Sequence, residues 1–283
     1  MLDHWSGLYA GGPRTTAVAM HAGIIDHYMR GAAFPEGGGQ ILSARLVQAI
    51  ESCGGEVRCL PGVAEILVEG RTVRGVRLED GTEVVAPLVG SNADHRRTVL
   101  ELVPRDRWDP ATVAWAETAT MTLGLACLYL VLDTELDGPN TNHFVFPSYA
   151  TDELYDRLDE GELPHGTAFA YIATASAKDP GNVHLCPPGH TNLQVMTLAP
   201  RGYGWWGLED GPAHGVPYRR DETYRARKAE LTDMLLDAAE SVLGPIRHHV
   251  VHQELATPIS HERYTGSTGG TSYGYVHSPE QSG

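Results

Sequence analysis

Apolar positions in this chain recur with a helical period in some stretches and a strand period in others. Leu42, Leu46, Ala49, Ile50 and Cys53 share one helical stripe, which begins after the turn Phe34-Pro35-Glu36-Gly37-Gly38-Gly39 and stops at Gly54-Gly55. Asp221 is placed to cap a second helix that carries Tyr224, Leu231, Met234, Leu235, Ala238 and Val242 and ends at Gly244-Pro245. The mostly small or apolar residues 15–29, behind the Gly11-Gly12-Pro13 break, predict a third. Strand-like runs cover 56–60, 63–68, 72–78, 83–85 and 88–91. They are separated by Pro61-Gly62, Glu69-Gly70-Arg71, Asp80-Gly81 and Pro87. Asp80-Gly81 predicts a hairpin whose two central residues tolerate positive φ. Further strands are expected over 121–133, 166–176, 191–199 and about 247–255; in 191–199, Leu193, Val195 and Thr197 alternate with Gln194, Met196 and Leu198. Residues 134–165 read as a long polar excursion, and 265–283 as a Gly, Ser and Thr-rich tail without an element that closes a fold. The chain has no internal repeat.

Composition narrows the classes available. With 283 residues, 42% hydrophobic and 20% charged, the chain can bury a core as one large domain or two ordinary ones. Its 21 Lys and Arg against 36 Asp and Glu give a net charge of −15. Such an acidic surface repels phosphate backbones and anionic lipid, which argues against nucleic-acid binding and a polybasic membrane anchor. Partners are then neutral or recognised locally, and peripheral membrane contact stays open. The longest apolar run, 121–132, is too short to span a bilayer, and no basic segment followed by an apolar one opens the chain. Four cysteines without a C-x-x-C pair suggest neither a disulfide framework nor a thiolate zinc site, so a reducing cytoplasm is expected.

Motifs of common chemistries are weak. Gly202-Tyr203-Gly204-Trp205-Trp206-Gly207 matches G-x-G-x-x-G, but two indoles crowd the turn and Leu208-Glu209-Asp210-Gly211-Pro212 cannot start a regular helix. An aromatic loop is the better reading. His248 and His252 sit in a β-rich stretch between Pro245 and Pro258, where a strand would hold them about 13 Å apart, too far for one ion. No metal site is expected. There is no G-x-S-x-G elbow and no evident nucleophile setting for Ser or Cys.

Several segments read together do more. Phe34-Pro35-Glu36-Gly37-Gly38 with its helix, Gly54-Gly55-Glu56-Val57, Val63-Ala64-Glu65-Ile66, Val73-Arg74-Gly75-Val76, the Asp80-Gly81 turn and Ser91-Asn92-Ala93-Asp94 follow in an order resembling the middle of FAD-dependent oxidoreductases of the phytoene desaturase type. Thr257-Pro258-Ile259-Ser260 with Arg263-Tyr264, Gly269-Gly270 and Tyr273-Gly274 resembles the same amine oxidase superfamily, nearest its carotenoid isomerase and retinol saturase branch. The resemblance implies an α/β fold: a partial FAD/NAD(P)-binding Rossmann-like domain with an α+β substrate domain on a mixed or antiparallel sheet. Its units would be a helical part of the substrate domain over 1–30, a partial FAD-binding domain over 31–100, the substrate domain over 101–245 and a return strand and loop toward the FAD site over 246–283.

The same resemblance implies FAD as cofactor, with the main chain at Val63 beside the adenine, the Gly37-Gly38 turn close to the cofactor, and Ser91, Asn92 and Ala93 where the chain crosses into the substrate domain. It implies flavin-dependent oxidation, reduction or isomerisation of a hydrophobic polyene or isoprenoid, in which protein groups position the substrate and no conspicuous catalytic dyad is required. Tyr28, Glu262, Arg263, Tyr264, Gly269, Gly270 and Tyr273 are the substrate-side candidates, with Trp205 and Trp206 as further tunnel residues; core packing is the alternative for each aromatic. The family's opening G-x-G-x-x-G segment and its closing flavin-covering segment have no counterpart between Met1 and Gly283. The expectation is therefore a truncated or split member, sticky in isolation, an oligomer or dependent on a complementing chain. The rival reading is a binding or interaction module without catalysis.

Overall fold

The computed structural model describes residues 3–138 and 140–281. Met1, Leu2, Pro139, Ser282 and Gly283 lie outside the described residues, and with them the outermost ends of the first and last expected units. Eight helices and eight strands follow among the described residues: α1 Val18–Met29, α2 Gln40–Ser52, β1 Val63–Glu69, β2 Thr72–Leu78, β3 Glu83–Val85, α3 His95–Arg97, α4 Pro110–Thr118, β4 Leu125–Leu132, β5 His143–Val145, α5 Thr151–Asp159, β6 Ala170–Thr174, α6 Ala175–Lys178, β7 Thr191–Leu198, α7 Glu222–Leu243, β8 Val250–Ala256 and α8 Pro258–Thr265.

Two antiparallel sheets organise them. β1, β2 and β3 form a three-stranded meander, while a five-stranded sheet has the order β5-β6-β7-β4-β8. The α/β class and the antiparallel sheet of the larger unit are as expected. β4 lies inside the sheet, between β7 and β8, and its sequence is the most apolar of the strands: Leu128, Leu130 and Leu132 are fully buried on one face, while Tyr129 on the other is 43% exposed. Leu193, Val195 and Thr197 of β7 continue that buried face, and Tyr224, Leu231, Met234, Leu235 and Ala239 of α7 belong to the same core. Asp221 caps α7 by accepting from Tyr224 N at 2.8 Å, and Gly244 ends it at φ 78°. Val242, placed on the buried stripe by periodicity, is instead 42% exposed, because it lies in the last turn where the helix passes the edge of the core.

Several expectations are corrected. Residues 56–60 and 88–91 are not strands: an extended run becomes a strand only where a neighbour accepts its ladder, and neither has one. The polar stretch 134–165 contains β5 and the amphipathic α5, whose Tyr155 and Leu158 are buried. The Asp80-Gly81 hairpin is real, but its loop is three residues, Glu79 to Gly81. Only Gly81 takes a positive φ, while Asp80 accepts from Thr82 N at 2.9 Å. His248 lies in the helical turn Arg247–His249 rather than in β8. The tail does close against the fold. Thr257 and Ser260 form a reciprocal capping box that starts α8, after which residues 271–276 run antiparallel to 120–124 through Met121–Tyr275 and Gly124–Thr271 bridges.

Candidate functional site

Two of the segments that carry the resemblance, 91–94 and 257–274, are brought face to face. α8 starts where β8 ends, and Pro258 at its first position fits because that nitrogen has no helical acceptor. One turn of α8 separates His261 from Thr265, so both side chains face the same way. They form one wall of a cleft of about 680 Å³, whose other side is Asn92, Ala93 and His95, with Ser272 and Tyr275 from the tail. A cleft of this size suits a small organic ligand.

Asp94 fastens the two walls. Its carboxylate accepts from Thr268 N at 2.8 Å, from Thr268 Oγ1 at 2.9 Å and from Arg97 N at 3.0 Å, capping α3 at the same time. Arg97 returns the contact by donating to the Gly266 carbonyl at 3.3 Å. Thr122 and Thr271, both buried, share a short hydroxyl hydrogen bond beneath the cleft, and Thr122 N donates to the Gly274 carbonyl at 2.8 Å. Gly270 has φ 66°, and a methyl group there would collide with the Pro258 carbonyl oxygen, so only glycine lets this turn lie against the start of α8.

The cleft carries neither Lys nor Arg. Asn92, the hydroxyls of Ser267 and Ser272, and two imidazoles line it, together with the Asp94 carboxylate, which is taken up by Thr268 and the Arg97 backbone N–H. His95 Nδ1 meets the Tyr275 hydroxyl at 3.1 Å, and Tyr275 packs on Trp115 with ring centres 4.4 Å apart. The His261 ring has no hydrogen-bond partner among the described residues, and burial pushes its pKa below the ordinary imidazole value. It is therefore a neutral imidazole at pH 7, free to donate at one nitrogen and accept at the other.

Of the residues singled out from sequence, Asn92 and Ala93 line this cleft, and Gly269 and Gly270 form the turn behind it. Ser91 turns the other way, bonding Thr98 Oγ1 at 2.8 Å on the edge of a separate cleft of about 830 Å³ with Ile66, Val68 and Trp108. Val63 opens β1 opposite Leu78 and is 42% exposed. Gly37 and Gly38 take positive φ, Gly37 N donating to Asp179 at 2.8 Å and Gly38 abutting Leu185. That turn thus packs on the 179–185 loop. Tyr28 and Tyr273 are neighbours, with burial first and Tyr28 second raising the Tyr273 phenol.

Glu262 and Arg263 do not act as a pair. Glu262 points away from the cleft into a buried niche, where Tyr203 donates to it at 2.8 Å and Ala213 N at 3.2 Å, and burial raises its pKa. Arg263 is exposed over the ring of Tyr264, itself 75% exposed. Trp206 is core, packed on Tyr224, and Trp205 lies beneath the Arg227 guanidinium at 5.0 Å. His95, His261 and Tyr275 were not singled out from sequence. Only the Thr257-Pro258-x-Ser260 start signal, which fixes the face of α8, could have found His261. Among the described residues no group of three or more His, Cys, Asp or Glu could hold a metal ion, and the four cysteines are free.

No protein-family model matches the chain. It is 27% identical over 288 residues to an all-trans-retinol 13,14-reductase of Danio rerio, an alignment covering 98% of this chain and 46% of the relative. To a chloroplastic prolycopene isomerase of Daucus carota it is 25% identical over 251 residues, 88% of this chain and 37% of the relative. The chain thus spans about half, or less, of the length of the curated relatives it matches. Its fold resembles the crystal structure of an oxidoreductase from Methanosarcina mazei at a TM-score of 0.60 and 18% identity, over 90% of this chain and 51% of that one. Along most of its length, then, the chain is a homologue of the retinol 13,14-reductases and prolycopene isomerases, the carotenoid isomerase and retinol saturase type of the amine oxidase superfamily.

Proposed function

We propose that this chain is part of a flavin-dependent oxidoreductase or isomerase acting on a hydrophobic polyene or isoprenoid. The observation that carries the reading is the convergence of Asn92–His95 with 261–275 on one cleft, fastened by Asp94 and Thr268. A flavin, when bound, would supply hydride chemistry that no protein side chain here offers.

The donor set of the cleft suits a flavin ring. Amide, hydroxyl and imidazole groups match the neutral hydrogen-bonding edge of the ring system, and the Tyr275 ring offers it an aromatic neighbour. The pyrophosphate of FAD has no cation in this cleft and would be held elsewhere. In this reading Asn92 and Ser272 orient the ring edge, and His261 holds or releases a proton at an imidazole nitrogen facing the ligand. Tyr275 and Trp115 keep that wall apolar. Tyr28, Tyr171 and Tyr273 would line the approach of an apolar substrate; the Tyr171 phenol is pushed up to about 12 by burial first and then by its neighbours Tyr28 and Tyr273. The 31–100 segment would then be the cofactor-facing unit and 101–245 the substrate-facing one. Among the described residues no helix is long and apolar enough to cross a membrane.

Visible absorbance and flavin fluorescence of the purified chain, before and after adding FAD, test this. Saturable quenching is expected. Asp94→Ala, which unfastens Thr268, should weaken it tenfold or more, since each charge-assisted hydrogen bond is worth about 1.5–3 kcal/mol. A chain that takes up no FAD would overturn the reading and leave the non-catalytic module in its place.

A further inference from the structure

A further cleft, of about 700 Å³, opens on the opposite side of α8. Arg219, Arg225 and Lys228 line it from the loop before α7 and from its first two turns, together with Tyr129 of β4 and Tyr264 of α8. Its single carboxylate is Glu254, so the cleft is locally cationic on a protein of net charge −15. Among the described residues, neither the Arg225 guanidinium nor the Lys228 ammonium has a hydrogen-bond or ion-pair partner. By contrast Arg227, on the same helix, pairs with Glu230 at 2.7 Å. Arg219 donates to the Tyr264 hydroxyl at 3.2 Å, which fixes a cation at the edge of an exposed ring. His261 lines this cleft as well as the one beside Asn92.

Unpaired cations concentrated in a concave site call for an anion, because an acidic protein attracts none through its overall field. The forked donors of Arg225 suit phosphate oxygens, and the Lys228 ammonium adds a point charge beside them. Partly exposed tyrosine rings, Tyr129 at 43% and Tyr264 at 75%, offer flat faces on which a heterocycle stacks. We infer that this cleft binds a phosphorylated planar ligand of the mononucleotide class, its phosphate held by Arg225 and Lys228 and its ring against Tyr264 or Tyr129. The site is independent of the flavin reading, since it shares only His261 with that cleft.

Calorimetric titration of the full chain with AMP, adenosine and inorganic phosphate tests the inference. Saturable AMP binding is expected, with adenosine and phosphate each at least tenfold weaker. In Arg225→Gln/Lys228→Gln, changes at an exposed and a half-buried position outside the core, the AMP dissociation constant should rise at least tenfold while the circular dichroism stays unchanged. In Asp94→Ala the AMP constant should not move, which separates this site from the flavin cleft. Absent AMP binding, or AMP binding unaltered in the double variant, overturns the site; phosphate binding as tightly as AMP overturns the planar ligand.

Discussion

His261 and Glu262 are chain neighbours on α8 with opposite surroundings, and their titrations run in opposite directions. Burial lowers the His261 pKa, so the unfolded chain takes up a proton near the ordinary imidazole value of about 6.5 while the folded chain resists it. Its contribution to stability is intact above that value and is lost as pH falls below it. Urea midpoints at pH 7.5 and pH 5.5 should therefore draw closer together in His261→Gln than in the wild type. Glu262 has its folded pKa raised by burial, so its contribution is present below the ordinary carboxylate value and declines as pH rises through the folded one. Glu262→Gln keeps an acceptor oxygen for Ala213 N while its amide N–H donates to the Tyr203 hydroxyl, and the change in stability should favour the variant more at pH 8 than at pH 5. Glu262→Ala strands both donors beside a cavity and should cost about 2–4 kcal/mol at either pH, as read from denaturant midpoints.

At the level of elements, the site depends on α8 and on the turn that follows it. Gly269 and Gly270 both take positive φ, 63° and 66°, yet their surroundings differ: an added methyl meets nothing at Gly269 and the Pro258 carbonyl at Gly270. Gly269→Ala should cost about 1 kcal/mol from backbone strain alone, whereas Gly270→Ala should cost about 3 kcal/mol or displace the turn, a contrast that urea unfolding resolves. Elements whose reasons are local were legible in the sequence. α2 has its stripe and its Gly54-Gly55 stop, α7 its Asp221 cap and Gly244, and the β1–β2–β3 meander its turn residues. What was not legible depends on distant partners. β5 exists only because β6 accepts its ladder, and 56–60 and 88–91 have strand composition without a neighbour. Likewise Asp94 meets Thr268 across 174 residues, a contact no local pattern encodes. α8 was within reach, since Thr257-Pro258-x-Ser260 is a start signal, but the preceding strand pattern ran up to it and hid the change of period.

Across the whole molecule, the core is concentrated around the five-stranded sheet and α7, and the 31–90 region contributes little to it. Neither α1 nor α2 has a buried residue, and the stripe that made α2 recognisable faces outward, with Leu42 59%, Leu46 67% and Ile50 44% exposed. Leu60, Val85 and Leu88 add further exposure at 83%, 83% and 84%. A helix in this state is held by its own hydrogen bonds and its glycine stop rather than by burial, and an isolated helix of 13 residues is marginal in water. Two consequences follow. Amide hydrogen exchange should be fast across α2 and slow across β4 and β7, so the molecule should open from this side first. The apolar stripe should also drive concentration-dependent self-association, because contiguous exposed apolar surface beyond a few hundred Å² is seldom left bare. Light scattering coupled to size exclusion checks this: Leu42→Gln/Leu46→Gln/Ile50→Gln should shift the chain toward monomer with a melting temperature within a few degrees of wild type, since these side chains bury little in the fold. Equal association in the variant would place the sticky surface elsewhere, on the meander side around Val85 and Leu88.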